Sequence, residues 1–93
     1  MLEKEIELQL AKAVKKSGGL AVKFISPSFV GMPDRLVLLP YGRMAFVEVK
    51  APAKKPRALQ RVRHEMLRRL GFRVYILDAI EHIEEIINDI YTA

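Results

Sequence analysis

Cysteine is absent from this 93-residue chain. That excludes disulfides and thiolate metal sites and suits an intracellular setting. Only two histidines are present, His64 and His82, and at that spacing they make a poor zinc site. No serine or cysteine is arranged to work with either, which sets aside triad-type nucleophilic chemistry. Long apolar runs are missing too: none reaches the ~20 residues of a membrane-spanning helix. The start, Met1-Leu2-Glu3-Lys4-Glu5, lacks the pattern of a signal peptide. What is abundant is apolar side chain, 51% of the residues, enough for a globular fold. The length predicts one domain over residues 1–93 with a limited core, so pairing with a second copy would help it.

The formal net charge is +5, a moderate pointer to a polyanionic partner. Its distribution says more. Between Lys50 and Arg73 lie nine Lys or Arg and a single acid, Glu65. The rest of the chain is close to neutral. Charge runs are commonly solvated helix faces. Here the run begins beside the acidic residues singled out below, which favours contact with a nucleic-acid backbone through Lys54, Lys55, Arg57, Arg61, His64 and Arg68. For His64 a plain surface position is the alternative.

Periodicity predicts the order α-β-β-β-α-β-α. Leu2, Ile6, Leu10, Ala13 and Val14 recur at helical spacing over residues 2–16, and Gly18-Gly19 ends that run. A strand is predicted over Leu20–Ser26 and a loop over residues 27–33. Residues 56–70 read as a helix with Leu59, Val62, Met66 and Leu70 as its buried stripe. Phe72–Asp78 alternates as an interior strand. Residues 80–91 close as a helix, with Ile80, Ile83, Ile87 and Ile90 inward, Ile86 beside them, and Glu81, Glu84, Glu85 and Asp89 outward. An acidic face of that kind must point away from a nucleic acid.

The centre of the chain is residues 31–50. Two apolar runs, Leu36–Leu39 and Met44–Val49, flank Pro40-Tyr41-Gly42, the signature of a β-hairpin. A three-residue loop with a left-handed Gly42 pairs Leu39 with Arg43 and, continued, sets Asp34 opposite Glu48. A two- or four-residue loop instead turns Asp34 to the other face. Strand alternation puts Glu48 and Lys50 on one face. Two adjacent carboxylates repel, and one stays partly protonated unless a cation lies between them. Hard divalent ions accept such a pair together with waters. With an amine alongside, the set suits phosphodiester hydrolysis.

Pro33-Asp34, thirteen residues, then Glu48-Val49-Lys50 resembles the PD-(D/E)XK nuclease superfamily. The longer wording Gly31-Met32-Pro33-Asp34-Arg35, Phe46-Val47-Glu48-Val49-Lys50-Ala51-Pro52 and Gln60 resembles its VRR-NUC family in the stand-alone phage and bacterial form. The resemblance covers nearly the whole chain. It implies a restriction-endonuclease-like α/β fold, an αβββαβ(α) core with a mixed sheet flanked by helices. It further implies Mg²⁺, or Mn²⁺ in its place, held by Asp34, Glu48 and the Val49 carbonyl. A first-helix glutamate joins them; Glu7 fits by its spacing from Gly18, with Glu3 second, although both also suit a helix N-terminus. Lys50 is implied as the group that orients water, and Gln60 as the residue that holds Lys50 or the water. The implied substrate is branched DNA, notably four-way junctions, cut by a homodimer. Leu8, Phe29, Ile86 and Tyr91 are candidates for its interface. The rivals are a nuclease of flaps or linear duplex, and a non-catalytic nucleic-acid-binding module.

Overall fold

A computed structural model describes residues 1–93. The elements are α1 (Glu3–Lys16), β1 (Leu20–Lys23), β2 (Arg35–Leu39), β3 (Arg43–Val49), α2 (Ala58–Arg69), β4 (Val74–Leu77) and α3 (Ile83–Tyr91). They follow the predicted order. Strands β1, β2, β3 and β4 lie side by side in that order; the first three are antiparallel and β4 runs parallel to β3. A parallel neighbour needs a crossover, and α2 supplies it. The result is the expected mixed α/β sheet with helices on both faces.

The hairpin turn sets the register. Pro40–Gly42 forms a single tight turn in which Tyr41 and Gly42 both have positive φ, 66° and 73°. Leu39 therefore pairs with Arg43, Leu38 with Met44 and Leu36 with Phe46. That is the odd-loop register, and it puts Asp34 and Glu48 at the open end on the same side. Beyond β1, the Phe24 N–H still donates to the Asp34 carbonyl at 2.9 Å, so the pairing reaches the acid itself.

Alternation then sorts the side chains. Val37, Leu39, Ala45, Val47, Val49 and Leu77 face α1 and α3, where Ile6, Leu10 and Val14 meet Ile83, Ile86, Ile87 and Ile90 in one buried cluster. The isoleucine stripe of the last helix is as expected, and its acids Glu81, Glu84, Glu85 and Asp89 are exposed. This helix begins later than predicted, after a separate 3-10 turn at Ile80–His82. Ile86, named above for an interface, is buried here and is unavailable for one.

The other sheet face carries only α2. Phe46, Val74 and Leu67 form a small cluster, bordered by Phe24, Leu36 and Met44. Phe24 and Phe72 meet Phe46 edge-on at 5.7 and 6.0 Å. The predicted stripe of α2 is rotated away from the sheet: Leu59, Val62 and Leu70 are 43%, 52% and 67% exposed. The buried side chains are His64 and Leu67 instead. The cause is the polar Glu48 in the sheet below, which calls for hydrogen-bonding residues on the helix face above it. The assumption that apolar side chains mark the inner face fails at that spot.

This rotated face gives a prediction. Leu67→Ala should cost about 2–5 kcal/mol in denaturant unfolding. Val62→Ala and Leu70→Ala should stay within about 0.5 kcal/mol of the parent. Equal losses at all three positions would contradict the observed face.

Candidate active site

The Glu48 side chain leaves β3 toward α2 and is only 2% exposed. Three groups converge on it. Gln60 Nε2 donates to Oε2 at 3.1 Å. Lys50 Nζ lies 3.6 Å from the same oxygen. His64 Nε2 lies 3.3 Å from Oε1. Gln60 suits this place because its amide is both acceptor and donor. Its Oε1 accepts the Arg57 N–H at 2.8 Å, capping α2, which turns its N–H toward Glu48. A glutamate at position 60 would set a third negative charge there. The glutamine thus holds the acid, where the resemblance implied that it holds Lys50 or the water.

Asp34 enters from the opposite strand. The Val49 N–H donates to its Oδ1 at 3.1 Å, while Oδ2 accepts no hydrogen bond from another residue. Continuing the β2–β3 register brings Pro33 opposite Val49. Proline has no N–H, so the Val49 carbonyl meets no ladder donor from that side. Pro33 is itself fully buried. The segment before it is pinned to α2: Arg63 Nε donates to the Val30 carbonyl at 2.9 Å, and its guanidinium stacks 3.8 Å above the Phe29 ring. Gly31, at φ 96°, packs so closely that an added Cβ would lie 2.9 Å from Leu59 Cγ. One helix therefore grips both acids, Glu48 directly and Asp34 through its loop.

The electrostatics follow from burial. Asp34 is pushed up to about 6, chiefly by loss of water, against the Val49 hydrogen bond and with a further rise from Glu7. Glu48 is pushed up to about 7, by burial first and by the Asp34 charge second, against Lys50. His64 is lowered by burial and by the charges of Arg68 and Lys50, so its ring is neutral at pH 7. Burial dominates for both acids, and the repulsion expected from the hairpin is felt at Glu48, from Asp34.

The first-helix acids stand apart from that pair. Glu7 forms an ion pair with Arg35 at 3.3 Å, and Arg35 also donates to the Ala21 carbonyl. Glu3 is exposed, and its charge raises both Asp34 and Glu48 weakly. No three acid or histidine side chains gather closely enough to cage an ion. The donor set is two carboxylates and a main-chain carbonyl, which fits Mg²⁺ or Mn²⁺ with several retained waters better than a closed all-protein site.

Among the basic residues, Lys54, Lys55, Arg57, Arg61 and Arg68 are exposed. Arg61 and Arg68 each also donate to a backbone carbonyl, of Pro56 and Val74. His64 does not belong with them. It is 1% exposed and turned inward to Glu48, so it cannot meet a phosphate. The sequence signal for this was its place one helical turn after Gln60, on the same face. Arg35 was likewise missed as the partner of Glu7.

The fold and the acid pair at the hairpin's mouth define a domain of the restriction-endonuclease-like class. No protein-family model matches the chain. It is 49% identical over 77 residues, 83% of each chain, to "Putative nuclease p44" of Acyrthosiphon pisum secondary endosymbiont phage 1. A solved structure described as a VRR_NUC domain superposes with a TM-score of 0.87 at 29% identity, over 95% of this chain and 97% of that one. The chain belongs to the VRR-NUC family.

Stability of the metal-free protein tests the acid pair. Both carboxyls bind protons more tightly folded, at about 6 and about 7, than their ordinary 3.8 and 4.5. Their contribution is complete below the ordinary values and is lost as pH rises through the raised ones. In chelator, the melting temperature should fall as pH rises from about 4 to about 7. Asp34→Asn should flatten that fall and melt higher at neutral pH. Superimposable profiles for parent and variant would contradict the assignment.

Proposed function

We propose that this chain is a metal-dependent DNA endonuclease that hydrolyses phosphodiester bonds. Its family and the name of its phage relative support a nuclease. The single observation that carries the reading is the pair of desolvated acids, Asp34 and Glu48, with the Lys50 amine beside one of them. Two carboxylates, Glu48 buried and Asp34 half-buried, with raised proton affinity and no full countercharge favour a cation between them.

In this mechanism Asp34, Glu48 and the Val49 carbonyl would hold Mg²⁺, with Mn²⁺ able to substitute. When bound, the ion supplies Lewis-acid polarisation and makes water more acidic. Lys50 orients the attacking water and counters the charge that develops on the phosphate. Gln60 keeps Glu48 in place and, with it, the oxygen that Lys50 approaches. Glu7, steadied by Arg35, acts through water at the edge of the site. Water oxygen bonds to phosphorus and gives up its proton to solvent, and the bond to the 3′ oxygen breaks as that oxygen takes up a proton from solvent, leaving the phosphate on the 5′ side. The exposed cations Lys54, Lys55, Arg57, Arg61 and Arg68 contact the backbone of the DNA and position it.

The finer reading is a homodimer that resolves four-way junctions inside a bacterial or phage-infected cell. Paired cuts need two sites, and two-fold symmetry supplies the second. Leu20, Val22 and Leu38 are exposed on the α2 side of the sheet, on the strands that α2 leaves uncovered, and they fit such an interface better than the buried Ile86. No helix is long and apolar enough to cross a membrane.

Four-way junctions, flaps and linear duplex, each labelled and assayed with and without Mg²⁺ at one salt concentration, test the proposal. Asp34→Ala, Glu48→Ala and Lys50→Ala should each lower cutting roughly 100-fold or more. Cutting that survives all three removes the mechanism, and binding without any cutting by the parent favours a non-catalytic module. Junctions should be cut best; a preference for flaps or linear duplex replaces the junction reading. Lys54→Ala and Lys55→Ala should each reduce the salt slope of DNA binding by about 1 without changing the cut position.

A further inference from the structure

We infer that His64 is a positioning residue that fixes the plane of the Glu48 carboxylate, and so sets how tightly the acid pair takes a divalent cation. The inference rests on the metal-dependent reading above. His64 is 1% exposed, and its only hydrogen-bond partner is Glu48 Oε1 at 3.3 Å. On the sheet face of Glu48 its strand neighbours are Phe46 and Lys50, with Ile76 beside it on β4, and Leu67 follows His64 on the inner face of α2. A leucine would fill that place on an amphipathic helix. A buried imidazole there is costly unless its bond does something a hydrocarbon cannot.

What it does follows from the soft torsion of a glutamate. The last side-chain bond of glutamate has a broad, shallow preference. A carboxylate gripped by one oxygen still swings about that bond. Gln60 and Lys50 both approach Oε2. His64 alone approaches Oε1. With both oxygens held, the plane is fixed and the remaining lone pairs point one way. Metal ligands whose outer hydrogen bonds are removed lose about 10–100-fold in affinity. In this role Nε2 is the ring nitrogen that carries the hydrogen and donates it to Oε1.

Two variants separate this role from plain packing. Mn²⁺ affinity of the full chain is measured by calorimetry, alongside thermal melting in chelator. His64→Leu leaves Glu48 Oε1 without a partner, so it should melt somewhat below the parent in chelator and bind Mn²⁺ about 10–100-fold more weakly. His64→Gln, which restores an N–H donor, should recover most of that affinity. A leucine variant that binds Mn²⁺ as the parent does would overturn the inference. So would a folded glutamine variant as weak as leucine. If the leucine variant does not fold, the glutamine variant decides alone: affinity near the parent's supports the role, and a large loss overturns it. A parent that binds no Mn²⁺ overturns the metal-dependent reading itself, an outcome seen before any variant is made.

Discussion

Two carboxylates that water has been taken from, set facing each other across the mouth of one hairpin, are the constraint on which the rest of the molecule depends. Left to themselves, like charges in a desolvated place separate or take up protons. The fold prevents separation. Asp34 is tied to the backbone of the opposite strand through the Val49 N–H, and Glu48 is gripped from α2 by Gln60 and His64. What remains is proton uptake, seen in the raised values of both acids, or a cation. The free energy stored in this crowding comes from the large core on the opposite sheet face, where α1 and α3 bury a continuous apolar surface.

Division of labour between the two sheet faces explains several features together. The α1 and α3 face is conventional, with alternating strand residues meeting isoleucine and leucine stripes. The α2 face gives up apolar packing to serve Glu48, so its hydrophobic cluster is small and the apolar side chains of α2 point outward. The uncovered strand residues Leu20, Val22 and Leu38 lie on that same face. A 93-residue chain has little core to spare, and here the part spent on chemistry is visible as hydrocarbon left exposed.

Much of this was legible from residue order. The hairpin register followed from the Pro-Tyr-Gly loop length, and register alone put Asp34 across from Glu48, because one residue of slip would reverse the face. The position of Lys50 beside Glu48 followed from strand alternation. What could not be read was the inner face of α2. Periodicity there points to Leu59, Val62, Met66 and Leu70, because an apolar stripe marks the buried face only where the surface beneath it is apolar. The helix packs on a carboxylate, so its inner face carries Gln60 and His64, and the leucines serve other ends, Leu59 packing on Gly31. Long-range ion pairs were also out of reach: nothing local links Glu7 to Arg35, which are joined only once α1 lies against the sheet.

The central claim is that Asp34 and Glu48 share one divalent cation. Anomalous diffraction from crystals grown with Mn²⁺ tests it most directly. The account predicts a single strong peak within ligand distance of both carboxylates and the Val49 carbonyl, with the surrounding hydrogen bonds of Gln60 and His64 unchanged. A peak that touches one acid only, or none near the pair while Mn²⁺ occupies other places on the chain, would contradict it.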